Sequence, residues 1–295
     1  MGILALAGLA AGCAVVQQGT EILAQTGQIS ERDKNSIIKT SEAIRSTFSD
    51  ITEEEEYYIG RSVAAMILSR YPAYNNDGLS RYINTLGNAV VYFSDRPETF
   101  AGYHFLILDT EEVNAMAAPG GFIFISKGLL KRCKDEEMLA DILAHEIGHV
   151  SKKHGLQSIK KSRLIDAFKI LGTEAIQRYG SEQLAQLTGI FEGVLGDIVE
   201  SLIERGYDRK YEYEADQQAV SIAVRTGYSP AGLTDFLATM VGDKSTAAGK
   251  GWFKTHPSPE DRLQRVNGEI ASAKNVPAKA DVRTARFKQS VGNLK

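Results

Sequence analysis

His145 and His149 stand four positions apart with Glu146 between them, in the run His145-Glu146-Ile147-Gly148-His149. On a helix that spacing is about 400° of rotation, so both imidazoles leave one face a single turn apart. Nitrogens so placed suit one zinc ion, with bonds of about 2.0–2.1 Å. Glu146 lies beside them, positioned to act on a water rather than on the metal. A carboxylate in that place is a general base, and the spacing as a whole is that of a hydrolytic zinc centre. A chance match on a solvated helix is the alternative, and the surrounding residues weigh against it.

A zinc site that performs hydrolysis takes three protein ligands and keeps one position open. The third ligand must come from elsewhere, and the best source is Arg209-Lys210-Tyr211-Glu212-Tyr213-Glu214-Ala215-Asp216. Glu212 and Asp216 again lie four apart, on one helical face. One can bind the metal while the other orients a ligating imidazole. Spacing alone does not exclude an ordinary charged helix start. Glu214 points away from that face and reads as solvated. His154, five positions beyond His149, is rotated off the metal face and reads as a supporting or core residue. His104 falls in the alternating run Tyr103-His104-Phe105-Leu106-Ile107-Leu108 and reads as a strand residue.

The first motif needs a helix. Asp135 is a plausible N-cap, Glu136 and Glu137 suit the first turn, and Leu139, Ile142, Leu143 and Ile147 recur at helical spacing. Gly148 costs about 1 kcal/mol inside a helix relative to Ala, which makes sense if a backbone or a substrate approaches closely there. Residues 53–70 read as a long helix with Ile59, Val63, Met66 and Ile67 inward. Phe122-Ile123-Phe124-Ile125-Ser126 reads as a strand after the turn Pro119-Gly120-Gly121. Gly227 is a candidate C-cap before Ser229-Pro230. Helical runs outnumber strands, which cluster over about 100–127. The expected fold class is therefore α+β, mainly helical, with a small sheet packed on the active-site helix.

With these motifs in fixed order the chain resembles the HtpX and CAAX-prenyl-protease type of gluzincin metallopeptidases. The resemblance rests on His145-Glu146-Ile147-Gly148-His149-Val150 with Lys152-Lys153-His154, and on the distant Glu212 and Asp216. Asn114-Ala115, Pro119-Gly120-Gly121-Phe122-Ile123-Phe124 and Gly128-Leu129-Leu130 fit the segment before the active-site helix. Tyr82-Ile83-Asn84-Thr85-Leu86-Gly87 and Ser94-Asp95-Arg96-Pro97 fit the N-terminal part, and Thr255-His256-Pro257-Ser258-Pro259-Glu260-Asp261-Arg262 the C-terminal part. Roughly residues 50–270 are covered. The resemblance implies a zincin-like domain in which His145, His149 and Glu212 bind one zinc ion. It also makes Glu146 the general base or acid and Asp216 a supporting residue. In membrane-embedded relatives the region between the motif helices spans the bilayer. Here residues 190–200 are interrupted by charges, and no run approaches the ~18 apolar residues a span needs, so the domain is expected to be soluble.

Hydrolysis by a zinc-activated water also needs a donor for the developing oxyanion. His256 is the candidate: it precedes Pro257, which disfavours helix there, and Ser258 with Pro259 starts a new helix. It could equally be a fourth zinc ligand that plugs the site in a latent form, or a capping histidine. For substrate binding, an extended peptide can add to a sheet edge through main-chain hydrogen bonds. In the resembling family a strand beside the cleft does this, and Asn114, Ala115 and Met116 mark the expected edge. A core hairpin is the plainer reading.

The net charge of −3, from 34 basic and 37 acidic residues, provides no field for nucleic acid. Residues 1–20 carry no charge, and Leu9-Ala10-Ala11-Gly12-Cys13 resembles a bacterial lipobox, which would make Cys13 a lipidation site. An uncleaved signal or a plain apolar helix is the alternative. Cys133 is then without a partner and reads as an inert, semi-buried thiol. The expected division is a signal segment 1–20, a tether and N-terminal helix 21–49, a peptidase domain 50–272 and a C-terminal appendage 273–295. Residues 242–251, glycine at both ends, are a candidate lid. The expected function is a zinc metalloendopeptidase of the bacterial envelope, anchored by lipid on the periplasmic side, more at the outer membrane than the inner. Its expected substrates are unfolded or misassembled proteins. A zinc-containing chaperone or assembly factor with little or latent proteolysis is the competing expectation.

Overall fold

The computed structural model describes residues 51–158, 192–242, 252–256, 259–292 and 294. Cys13, the tether to residue 49, residues 159–191 and all of the candidate lid except Gly242 lie outside the described residues. Thr52–Ser158 together with Leu195–Lys295 form one compact unit, and it carries everything that follows.

α1 (Glu53–Arg70) begins on a capping box. The Glu55 amide donates to the Thr52 hydroxyl at 3.2 Å, and the Thr52 amide donates to the Glu55 carboxylate at 2.8 Å. Its buried side is Glu56, Gly60, Val63, Ala64 and Ile67. Met66, expected inward, is 40% exposed, because it sits about 100° around the helix from Ile67 and off that stripe. α2 (Asp77–Val91) is capped by Asn76, which accepts from the Leu79 amide at 3.0 Å.

The sheet contains β1 (His104–Leu108), β2 (Ala115–Ala118) and β3 (Phe122–Ser126), in the order β1-β3-β2. β3 runs parallel to β1 and antiparallel to β2, with Ala115 opposite Ile125 and Ala118 opposite Phe122. Each outer strand therefore has one edge that is not paired within the sheet. That of β1 is closed by Asn84, whose side-chain amide donates to Phe105 O at 2.9 Å and whose side-chain carbonyl accepts from Phe105 N at 3.3 Å. Ser126 ends β3 and starts α3 (Lys127–Arg132), its hydroxyl accepting from the Leu129 and Asn114 amides at 3.0 Å each.

α4 (Glu136–Ser151) is the centre of the fold: Asp135 caps it at 2.9 Å from the Met138 amide, and every residue from Glu136 to Val150 is buried. A helix buried on all sides must satisfy its carboxylates internally. Glu136 accepts from the Tyr82 and Tyr228 hydroxyls at 2.9 and 2.8 Å and pairs with Arg286. Glu137 accepts from the Ser229 and Ala280 amides and from Arg283 at 3.1 Å. Asp141 accepts from the Leu233 amide at 2.9 Å.

Around α4 lie α5 (His154–Gln157), α6 (Arg209–Thr226), α7 (Ala231–Gly242), α8 (Trp252–Thr255), α9 (Pro259–Ser272) and α10 (Asp281–Val291). α6 ends at Gly227 in the left-handed region. α10 buries Phe287 and Val291 in the core and supplies both arginines that neutralise the start of α4. Its sparse apolar residues gave no sign of this, because its contribution is charge.

Candidate metal centre and active site

A Cβ on Gly148 would lie 3.0 Å from Gln218 Cβ and 3.2 Å from Ala215 Cα. Glycine is thus what lets α4 and α6 cross with their backbones nearly touching. At that crossing His145 and His149 on α4 face Glu212 on α6, and His256, just beyond α8, completes a buried group of four donors.

The two histidine Nε2 atoms are 3.1 Å apart. His256 Nδ1 lies 3.4 Å from His145 Nε2 and 3.0 Å from Glu212 Oε2. The Glu212 oxygens lie 3.6 Å from His145 Nε2 and 3.5 Å from His149 Nε2. Around a tetrahedral ion with bonds of about 2.0–2.1 Å, ligand atoms are separated by roughly 3.3–3.4 Å. The observed spacings bracket that value. Three imidazoles and a carboxylate are also the donor types zinc prefers, so the residues fit the metal.

Each imidazole on α4 is oriented from behind. His145 Nδ1 is 2.9 Å from Asp216 Oδ1. Asp216 in turn takes a two-pronged contact from Arg262 of α9, at 2.8 and 2.7 Å. Arg262 is fully buried and also stands 2.9 Å from Glu212. His149 Nδ1 meets His154 Nδ1 at 2.9 Å, and His154 Nε2 meets Glu214 at 3.1 Å. Glu214 had been expected to be solvated, yet its side chain turns back to hold His154, with the other oxygen toward Lys210. Outer partners of this kind fix tautomer and ring orientation.

Charge is distributed unevenly across the group. Burial and the Arg262 cation push the His145 imidazolium down, but hydrogen bonds to Asp216 and Glu212 outweigh them and raise it to about 9. Burial holds His149 well below the usual histidine range. Burial opposes ionisation of Glu212, yet His256 and Arg262 hold its carboxyl well below the usual range. Glu146 is the opposite case. Burial pushes it up, neither oxygen has a hydrogen-bond partner among the described residues, and Oε1 is 3.6 Å from His256 Nε2. A buried carboxylate without such partners, beside a group that could hold a metal, is chemically able to exchange a proton.

Asn114, Ala115 and Met116 lie along and just before β2, all three buried. Asn114 accepts from the Thr255 hydroxyl at 3.0 Å. On the outer edge of β2, three alternate carbonyls are met by groups from the site. Val113 O accepts from the Trp252 amide at 2.6 Å, Ala115 O faces His256 Nε2 at 3.4 Å, and Ala117 O accepts from the Tyr207 hydroxyl at 3.4 Å. Tyr207 follows a π-helical stretch (Glu200–Arg205) and Gly206, whose φ of 77° lets the chain turn into the site. Its ring stacks on His149 with centroids 4.4 Å apart. A narrow pocket beside them is lined by Ala115, Met116, Glu146, Leu202, Tyr207 and His256.

Sequence reasoning assigned no role to Arg262 or Tyr207. Arg262 could have been suspected, because a cation in the first turn of a helix opposes the helix dipole and needs carboxylates to hold it. An isolated tyrosine after a glycine carries no such signal. Cys133 is free and buried, and burial pushes its thiol far above the usual range.

Among proteins of known name, the Beta-barrel assembly-enhancing protease of Escherichia coli is 26% identical over 250 residues, 83% of this chain and 50% of that protein. Metalloprotease YcaL of the same organism is 31% identical over 176 residues, 58% of this chain and 63% of its own length. The Mitochondrial metalloendopeptidase OMA1 of Schizosaccharomyces pombe is 23% identical over 235 residues, 78% of this chain and 65% of its own. The chain spans about half the length of the assembly-enhancing proteases that it matches. The profile of Peptidase family M48 matches residues 79–270, a stretch that contains all four candidate metal donors and Glu146, and the chain belongs to that family.

Proposed function

We propose that this chain is a zinc-dependent endopeptidase that hydrolyses unfolded or misassembled proteins in the bacterial envelope. The observation that carries the reading is Glu146, fully buried and without hydrogen-bond partners among the described residues, beside four donors spaced for a single tetrahedral ion. His145, His149 and Glu212 would hold the zinc, and hydrolysis would require His256, the fourth donor of the group, to leave the fourth position to a water. Zinc bound there supplies a Lewis acid for the scissile carbonyl and acidifies a water. Glu146 accepts the proton of that water and delivers it to the amide nitrogen as the C–N bond breaks. Arg262 and Asp216 hold His145 in place throughout, and Asn114, Ala115 and Met116 offer a strand edge to an extended peptide.

The envelope setting is supported by similarity to the Beta-barrel assembly-enhancing protease. An anchor at Cys13, on the periplasmic side and more at the outer membrane than the inner, is part of the same reading. Among the described residues no helix is long and apolar enough to cross a membrane. His256 favours a refinement. With four protein donors no position stays open for water, so this arrangement is a closed form, and a chaperone or assembly factor of low proteolytic activity would share it.

The test compares cleavage of casein by the zinc-loaded protein, Glu146→Gln and His256→Ala, with zinc content measured on each. The peptidase reading expects Glu146→Gln to retain zinc and lose cleavage, and His256→Ala to retain zinc and cleave at least as fast as wild type. Zinc in all three with no cleavage by any would replace it with the chaperone reading.

A further inference from the structure

We propose that Tyr207 is the group that donates a hydrogen bond to the oxyanion of the substrate during peptide-bond hydrolysis. The assignment rests on the peptidase reading above and deepens it. A donor of that kind must be buried, rigid, directed at the cleft and free to switch partners when substrate arrives. Tyr207 is buried, held by packing, weakly partnered and part of the pocket lining. It is 6% exposed, and its ring is held flat against His149, centroids 4.4 Å apart and planes within 21°. Its hydroxyl is thereby held against Ala117 O and the Gly155 backbone, and the residue lines the same pocket as Glu146.

The partner it has now is a weak one. The hydroxyl donates to Ala117 O across 3.4 Å, at the long limit for a hydrogen bond. Ala117 O lies on the outer edge of β2, where an extended peptide would pair. A substrate amide that takes this carbonyl releases the Tyr207 O–H, and the carbonyl of the bound peptide becomes its next acceptor. His256 is less suited. Its Nδ1 stands in the group of four donors, 3.0 Å from Glu212, so its ring is committed to that group.

The step balances without a further reagent. Water oxygen forms a bond to the carbonyl carbon, the π pair moves to the carbonyl oxygen, and Glu146 takes the proton lost by the water. Tyr207 keeps its own proton, since a phenol ionises near pH 10, and its hydrogen bond strengthens as charge develops. Collapse returns the pair to the carbonyl as the C–N bond breaks and the amine leaves with the proton from Glu146.

Tyr207→Phe removes the hydroxyl and keeps the ring that stacks on His149. Loss of one such donor slows the chemical step by about 10²–10³-fold. The expected result is that fall in kcat on a quenched peptide, with KM within about threefold and unchanged zinc content and melting temperature. Affinity for a phosphinic peptide, whose tetrahedral oxygens mimic the oxyanion, is measured by calorimetry on the same proteins and should fall with kcat. An active wild type with Tyr207→Phe equal to it in kcat and in phosphinic-peptide affinity overturns the assignment and leaves the peptidase reading standing. Zinc-loaded wild type that neither cleaves nor binds the phosphinic peptide removes the peptidase reading, and this assignment with it.

Discussion

His149 and His154 face each other Nδ1 to Nδ1 at 2.9 Å, across the end of α4. One proton must lie between the two nitrogens, and Glu214 decides where it comes from. His154 Nε2, 3.1 Å from the Glu214 carboxylate, carries a hydrogen, which leaves its Nδ1 as an acceptor. His149 Nδ1 is then the donor, and His149 Nε2 is left with the lone pair that a metal needs. A half-buried glutamate on α6 thus sets the tautomer of a buried candidate ligand on α4.

Removal of that control should weaken metal binding without unfolding the protein. Glu214→Ala and His154→Phe are each expected to lower zinc affinity by about 10–100-fold. Competition with a chromophoric chelator reads this directly. Unchanged affinity in both variants would mean that His149 holds its tautomer without help.

The Gly148 crossing predicts a different signature. In Gly148→Ala the new methyl meets Ala215 backbone at 3.2 Å, and backbone does not move aside cheaply. Overpacking costs about 1–3 kcal/mol, against about 1 kcal/mol regained from helix propensity. The variant is expected to be less stable in urea melts and to bind zinc more weakly, because Glu212 moves with α6. A more stable variant with unchanged zinc affinity would show that the crossing has slack.

Asp141 gives a pH prediction away from the metal. Burial raises its carboxyl well above the usual range, and the Leu233 amide only partly offsets this. The folded chain therefore keeps a proton on Asp141 that the unfolded chain loses near pH 4, and this residue's contribution to stability declines as pH rises through the folded value. Asp141→Asn keeps an acceptor for Leu233 and cannot ionise. Its stability relative to wild type should improve between pH 5 and pH 8, by up to about 1.4 kcal/mol per pH unit within the titration range. Urea melts at the two pH values check it, and a constant difference would refute it.

The C-terminal helix should matter for stability although it lies beyond the matched family region. Arg286 neutralises a fully buried Glu136 but is itself half exposed, so water replaces part of what is lost on truncation. Arg286→Ala is expected to cost about 1–2 kcal/mol. Arg286→Ala combined with Arg283→Ala should cost more, since Glu137 then also loses its cation. Thermal melts of the single and double variants measure both.

What was legible in the sequence was local. Asp135 as a cap, the apolar stripe of α4, and the paired positions 145/149 and 212/216 all follow from helical periodicity, which acts over a few residues. Gly148 advertised a close approach by being costly where it sits. Which partner approaches is a tertiary fact, and α6 could not be named from spacing. His256 enters the donor group from 111 residues beyond His145, so its type and its place before Pro257 hinted at a role but not at which groups it would meet. Glu214 was misjudged because a helical wheel gives the direction of Cβ and not the reach of a long side chain. Met66 was misplaced by one helical step. The importance of α10 was hidden because its work is done by two arginines, which read as surface residues in any periodicity scheme.

His145 and His256 are 111 residues apart in sequence and Glu212 and His256 are 44 apart, yet all converge on one point. An ion held there closes two long loops at once, as a pair of covalent cross-links would. The chain entropy that such closure removes from the unfolded state grows only slowly with loop length but is already large at these separations. A chelator would then do more than silence a reaction. It would remove a fastener between the central helix and the segments that pack on it, and the folded lifetime of the protein would track the free zinc concentration around it.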